Sequence, residues 1–192
     1  MKVSRAQAAE TREKILNHAA RMYREKGFDG IGIADLMKSA GLTHGGFYGH
    51  FSSKEDLMAQ ACTRAADDLL TRGYERRAEH GDDTFRAFIE YYLSREHRDN
   101  SGSGCLMAAL GADAARQTPK VRSVFTENAQ RMLHAMMALL KGRVKPEDAR
   151  AKALVTLATL VGAQIIARAV DDEQVSQDVL RSVAESLLET KH

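Results

Sequence analysis

Only two prolines occur in this chain of 192 residues, and no long Gly/Ser tract divides it. The sequence therefore marks no flexible linker. Two cysteines, Cys62 and Cys105, are too few for a disulfide framework and lack metal-ligand spacing. They fit a cytoplasmic protein with reduced thiols. Met1 to Glu10 is polar, with no apolar core of a secretory signal. The longest apolar stretch, Ala153 to Val170, is broken by Thr156, Thr159, Gln164 and Arg168. That pattern fits a buried helix better than a membrane span. The chain has no P-loop, no dinucleotide fingerprint and no H-E-x-x-H, which removes the enzyme classes that depend on them. Neither a cofactor nor a metal is expected, and no catalytic residue stands out.

The net charge of +2 is small, but its distribution is uneven. Residues 1–54 hold nine Lys and Arg against five Asp and Glu, while the remainder holds nineteen against twenty-one. A basic first part on a mildly acidic body suits contact with a polyanion, although scattered charge gives the same count.

Nearly every segment has a helical period and none alternates in the manner of a strand. Ile15, Ala19 and Met22 form one stripe, which Gly27 ends. Ile33, Leu36, Met37 and Ala40 form a second, ended by Gly41. Thr43 suits the N-cap of a third short helix. Ser53 with Asp56 approximates a capping box for a longer fourth helix through Leu57, Ala61 and Ala65. Five further helices are expected. They lie around Phe85–Tyr92 and Leu106–Leu110, from about Pro119, from about Pro146, and around Val175–Leu187, with Asp99–Gly104 as a loop. The chain reads as all-α, with about nine helices.

The stretch from Gly41 to Leu57, G-L-T-H-G-G-F-Y-G-H-F-S-S-K-E-D-L, carries the functional signal. Three short helices with a tight A-G-L-T turn between the second and third fit a helix-turn-helix. The third helix would then enter a DNA major groove by its N-terminal end. Glycine at Gly45 and Gly46 would let the backbone approach the bases, at up to ~1 kcal/mol each in helix propensity. Phe47 and Phe51, four apart, would anchor the segment inward. Tyr48 would reach a phosphate, His44 a base or phosphate, and Lys54 a phosphate near the next helix. A simple bend held by aromatics is the plainer alternative.

Thr11 to Leu57, through T-R-E-K-I-L, G-F-D-G-I-G-I-A-D-L-M-K-S-A-G-L-T, F-Y-G-H-F and S-K-E-D-L, resembles the DNA-binding domain of TetR-family (TetR/AcrR-like) transcriptional regulators. The resemblance implies a DNA-binding domain over 8–68 and an effector-binding and dimerisation domain over 69–192. It adds Gly32 and His50 to Thr43, His44, Gly45, Gly46, Tyr48 and Lys54 as DNA-facing positions. The family commonly has Lys near His44, a larger residue near Gly46 and Thr or Ser near Gly32. Here Gly32 offers only its backbone amide, so the operator sequence stays open. The resemblance also implies a homodimer through the last two helices, at Leu154, Ala158, Val161, Gly162, Ile165, Val179, Val183 and Leu187. Burial within one subunit is the alternative.

In the body, Phe88, Tyr92, Cys105, Met107, Phe125, Met132 and Met136 are the candidate effector pocket, or an ordinary core. Cys105 begins a helix beside a Gly/Ser loop, a place that favours an anion, and the thiolate is a thiol's reactive form. Cys62 lies on an apolar stripe and reads as core. The expected function is a repressor that binds a palindromic DNA operator as a homodimer and is released by a small-molecule effector. Recognition segments ~34–36 Å apart would read the two half-sites. The alternatives are a thiol-based redox or electrophile sensor through Cys105, a helical enzyme using Cys105 as nucleophile, and a helical adaptor with no DNA role.

Overall fold

Ser4 starts the first helix, α1 (Arg5–Lys26), with a reciprocal cap. Its hydroxyl accepts from the Gln7 amide at 3.2 Å, and Gln7 Oε1 accepts from the Ser4 amide at 3.0 Å. Gly27 ends α1 at φ 75°, in the left-handed region where glycine is favoured. A computed structural model describes residues 4–79 and 83–189, with side chains over 4–68 and 83–189. The described elements are helical apart from one bridged pair, Lys141 and Val144.

Helix α2 (Ile33–Ser39) closes on Gly41, at φ 74°. Gly41 N donates to Lys38 O at 2.9 Å and Leu42 N to Met37 O at 2.8 Å. These paired bonds are the reversal that a left-handed glycine permits. The next segment, His44–Gly49, is 3₁₀ rather than α-helical. Three of its six residues are glycine, which weakens a regular α-helix. Thr43 occupies its N-cap, but the Thr43 hydroxyl makes no capping bond. The turn closes instead through Gly46 N to Thr43 O at 3.1 Å. The expected cap by the Thr43 side chain is thus replaced by a backbone bond of 3₁₀ spacing.

Helix α3 (Lys54–Glu79) follows. Ser53 Oγ accepts from Asp56 N at 3.0 Å, as the sequence suggests. Asp56 reaches back to the Ser52 amide at 3.3 Å rather than to that of Ser53. The body comprises α4 (Thr84–Tyr92), α5 (Arg95–Asp99), a 3₁₀ turn over Ser101–Ser103, α6 (Leu106–Ala114), α7 (Pro119–Leu139), α8 (Ala149–Ala169) and α9 (Glu173–Glu189). Helix α5 and the 3₁₀ turn fall partly where a loop is expected. Ser94 caps α5 by accepting from the His97 amide at 3.1 Å. Helix α8 starts at Ala149, later than Pro146.

Two apolar cores result. One gathers α1, α2, the 3₁₀ segment and α3, and continues into Leu106, Leu110, Ala114, Val121 and Phe125 of α6 and α7. The other gathers Ile89, Tyr92, Cys105, Met132, Met136, Leu160 and Leu180. The head is therefore seated directly on α6 and the first half of α7. The boundary expected at residues 68 and 69 falls inside α3.

Candidate DNA interface and sensing body

The recognition segment is held from below and open above. Phe47 and Phe51 are buried and stacked, with ring centroids 5.7 Å apart. Burying each ring contributes roughly 1.5–3 kcal/mol, more than a glycine costs the helix. Tyr48 packs edge-on against Phe47, yet remains 68% exposed. His44 and Gly45 are exposed, and no atom lies within 4 Å of a Cβ built on Gly45. The two adjacent glycines differ. A Cβ on Gly46 would lie 3.7 Å from Met37 Cε and 3.9 Å from Thr43 Oγ1, against the protein itself. Of the pair, Gly45 is the one facing open space. His50 and Lys54 are half-buried beside Phe51 and at the first turn of α3.

Gly32 is the N-cap of α2 and has no capping side chain. Its amide end is exposed, as a phosphate contact requires. Asp35, in the same first turn, places Oδ2 3.5 Å from where a Gly32 Cβ would stand. This carboxylate complements the helix end but opposes a phosphate there. Lys14 reaches the helix-turn-helix from α1, with Nζ 3.8 Å from the Cβ position of Gly41. The linear sequence signalled neither Asp35 nor Lys14, since both act across a turn or between helices.

The head is tied to the body by polar links. Arg24 of α1 is buried and donates to Ala20 O at 3.0 Å, Ala65 O at 3.4 Å and Gly104 O at 3.1 Å. Thr118 at the start of α7 donates to Glu55, and Lys120 Nζ donates to Asp56 Oδ1 at 2.9 Å. The Lys120 ammonium draws the Asp56 carboxyl well below its usual range.

Cys105 is fully buried and caps α6 through its backbone alone. Its amide donates to His97 Nε2 at 3.0 Å. His97 Nε2 is therefore an acceptor, and Nδ1 carries the proton given to Tyr92 O at 2.7 Å. Gln164 Nε2 donates to the same carbonyl. Arg168 clamps the end of α5 by donating to His97 O at 2.7 Å and Arg98 O at 3.0 Å. Tyr92 Oη, Gln164 Oε1 and Arg168 Nη1 are buried without hydrogen-bond partners, and Tyr92 and Arg168 interact electrostatically with the Cys105 thiol. Each unpartnered group is destabilising by about 1–3 kcal/mol. Burial, with the Cys105 thiol beside it, raises the Tyr92 hydroxyl well above its ordinary pKa. Cys62, in contrast, lies in the head-side core, where burial pushes its thiol up to about 12.

The candidate effector residues do not form one group. Tyr92, Cys105, Met132 and Met136 are in the body core with Phe88 packed against it, Phe125 is in the head-side core, and Met107 touches both. Met107 and Phe125 line an open cleft of about 530 Å³ between α6 and α7. A smaller polar cleft of about 260 Å³ lies by Arg98, Arg168 and Glu173. Neither borders Phe88, Met132 or Met136.

Helix α8 is apolar on two faces. Ala153, Leu160, Ala163 and Ala167 face the body core, beside buried Thr156 and Gln164. Leu154, Val155, Ile165 and Ile166 are exposed on the opposite side, Val155 at 61%. Ala158 is exposed with them, and Gly162 has no neighbour within 4 Å of a built Cβ. Val161, Val179, Val183 and Leu187 are half-buried against the body core, between the two faces. By length and composition α8 could cross a bilayer, although its inner face is packed on protein. Among the described residues no group of His, Cys, Asp or Glu could hold a metal ion.

Residues 15–61 match the family model for bacterial regulatory proteins of the tetR family. The HTH-type transcriptional repressor NemR of Escherichia coli is 28% identical over 138 residues, spanning 70% of this chain and 69% of that protein. An uncharacterized HTH-type regulator of Bacillus subtilis, YvdT, is 34% identical over 95 residues, or 45% of this chain and 47% of its own. The crystal structure of the reduced form of Escherichia coli NemR superimposes with a TM-score of 0.80 at 23% identity, covering 94% and 96% of the two chains. A TetR regulator from Chloroflexus aurantiacus gives 0.80 at 26%, covering 96% and 97%.

Proposed function

This chain belongs to the TetR family of DNA-binding transcriptional regulators, and we propose that it is a homodimeric repressor released from its operator by a small molecule. Residues 8–68 form the DNA-binding head and 69–192 the sensing and dimerising body. One observation supports this reading of the DNA face. Phe47 and Phe51 point inward while Gly45, Tyr48 and His44 are presented outward on the same short segment. Thr43, His50 and Lys54 flank that surface, and Gly32 offers a helix N-terminus to a phosphate. Gly46 is exposed beside Gly45, and a side chain there would meet Met37 at ordinary contact distance, so Gly46 remains a DNA-facing candidate.

Homodimerisation is supported by the exposed stripe of α8. A soluble chain seldom leaves Leu154, Val155, Ile165 and Ile166 uncovered along one helix, and a second copy brings the same stripe to face it. Repression is supported by the similarity to NemR, which is named as a repressor. The protein acts in the cytoplasm, where DNA is reached without export. Effector and DNA favour different separations of the two heads, so each weakens binding of the other, with a typical coupling of ~1–3 kcal/mol. The test is titration of labelled upstream DNA with the protein at two salt concentrations. Nanomolar, salt-sensitive binding to one near-palindrome supports the reading. Equal binding to any duplex contradicts it.

A second reading assigns Cys105 as a thiol sensor. Its specific support is the pair of buried polar groups in electrostatic contact with the thiol, Tyr92 and Arg168. Hydrogen bonds from Tyr92 and Arg168 would stabilise an oxygen added to sulfur. Full induction of a Cys105→Ser variant by the oxidant or electrophile that induces the wild type would remove this reading.

A further inference from the structure

We propose that the cleft between α6 and α7 binds an apolar molecule bearing a single carboxylate. The inference rests on the effector reading above and narrows it to one place and one ligand class.

Gly111 lies inside α6, lines the cleft, and is not among the glycines of positive φ. No atom stands within 4 Å of where its Cβ would be. Neither backbone conformation nor packing against the protein requires glycine there. A glycine inside a helix is nevertheless less favourable than an alanine. What its absent side chain provides is open space on the cleft wall. The remaining lining is mostly apolar, with Met107, Ala114, Pro119 and Phe125.

The charged lining residue is Arg122, and no acidic residue lines the cleft with it. Arg122 is exposed and is in none of the ion pairs among the described residues. The hydroxyls of Ser123 and Thr126 donate back to Lys120 O at 2.8 Å and Arg122 O at 3.2 Å. They leave only acceptor capacity for a ligand. The Arg122 guanidinium is thus the strong donor of the cleft, and its planar fork matches a carboxylate bidentately. A cation finds no acidic partner there. A dianion finds one positive group and no second donor. The volume, about 530 Å³, is that of an ordinary small-ligand site.

The position also connects the cleft to the head. Ala114 and Phe125 belong to the core shared with α1 and α3. Asp113 Oδ2, on the same helix as Gly111, lies 3.0 Å from the Cβ position of Gly27 at the end of α1. A ligand that parts α6 from α7 shifts the seat on which α1 rests.

The experiment is calorimetric titration of the full chain with octanoate, and with octanol as the uncharged probe. Wild type, Arg122→Gln and Gly111→Leu are compared, with operator binding measured on the same samples. The leucine has open space to occupy and improves helix propensity, so Gly111→Leu retains its melting temperature. The proposal expects octanoate to bind wild type, to bind Arg122→Gln at least tenfold more weakly, and not to bind Gly111→Leu. Octanol binding is expected to change little in Arg122→Gln. Three results overturn it: undiminished octanoate binding by Gly111→Leu, octanol binding wild type as tightly as octanoate, or no octanoate binding at all. In each case intact operator binding shows that the cleft assignment has failed and the regulator reading has not.

Discussion

Arg24, in the first helix of the DNA-binding head, donates to the carbonyl of Gly104, the residue before Cys105, at 3.1 Å. The same guanidinium holds Ala20 O and Ala65 O, so one buried side chain ties α1, α3 and the loop before α6. The loop is pressed against α1 on one side and against His97 of α5 on the other. A Cβ on Gly102 would stand 2.4 Å from Glu25 Oε1 on α1, and one on Gly104 would stand 2.8 Å from His97 Nε2. The segment before Cys105 is therefore joined to α1 by direct contacts.

Replacing Arg24 tests that junction. Arg24→Met leaves the Gly104 and Ala65 carbonyls without this donor and lowers stability by about 1–3 kcal/mol. At temperatures where the variant stays folded, operator affinity is retained while the effector no longer weakens it. Arg24→Lys restores part of the stability and part of the response. Denaturant titration and DNA titration with and without inducer measure both quantities. An unchanged inducer response in Arg24→Met contradicts the role.

Asp35 is expected to limit how tightly the head holds DNA. Its carboxylate lies over the exposed amide end of α2, near the Gly32 position, where a backbone phosphate is expected. Asp35→Asn removes the repulsion and is expected to raise operator affinity several-fold, most at low salt. Fluorescence anisotropy at two salt concentrations checks this. Weaker binding by the variant would place the phosphate elsewhere.

Much of this arrangement was legible in the sequence, for a physical reason. Helical periodicity, Gly27 and Gly41 at helix ends, and Phe47 and Phe51 four apart are local features, and local features set local structure. The split of α8 into an inner face through Leu160 and an outer one through Val155 and Ile165 follows from the same period. What was not legible is mainly long-range or depends on fine geometry. Arg24 and Gly104 are far apart in sequence, and no pattern announces their bond. The 3₁₀ form of His44–Gly49 decides that Gly45 faces out and Gly46 faces Met37. It also leaves the Thr43 hydroxyl uncommitted, where α-helical reasoning assigns it a cap. The seven residues taken as one pocket divide between two cores, because α6 has apolar residues on both sides.

The exposed stripe on α8 predicts the oligomeric state. Ile165→Glu places a charge in the centre of the proposed interface, where it would be buried unpaired. The wild type is expected to sediment as a dimer and the variant as a monomer, with operator affinity reduced at least a hundredfold. A wild-type monomer that binds its operator would remove the interface.

Asp56 and Lys120 give the head-to-body joint a pH dependence. The folded-state carboxyl is held below its usual value of 3.8, chiefly by Lys120. Its contribution to stability is present above that value and is lost as pH falls through the lower folded-state pKa. Asp56→Asn is therefore less stable than wild type at pH 7, and the gap closes on acidification below about pH 4. Lys120 is half exposed and the pair lies at the surface of the joint, so the effect is small and diminishes with salt. A gap constant with pH would assign the loss to packing instead.

The most direct test of the central claim compares Tyr48→Ala with Phe47→Ala. Tyr48 is exposed on the proposed DNA face and Phe47 is buried beneath it. Tyr48→Ala is expected to keep the wild-type melting temperature and lose at least tenfold in operator affinity. Phe47→Ala is expected to lose about 3–5 kcal/mol of stability. If Tyr48→Ala binds upstream DNA as tightly as wild type, with the same salt dependence, the recognition segment is not the DNA-contacting surface and the account fails.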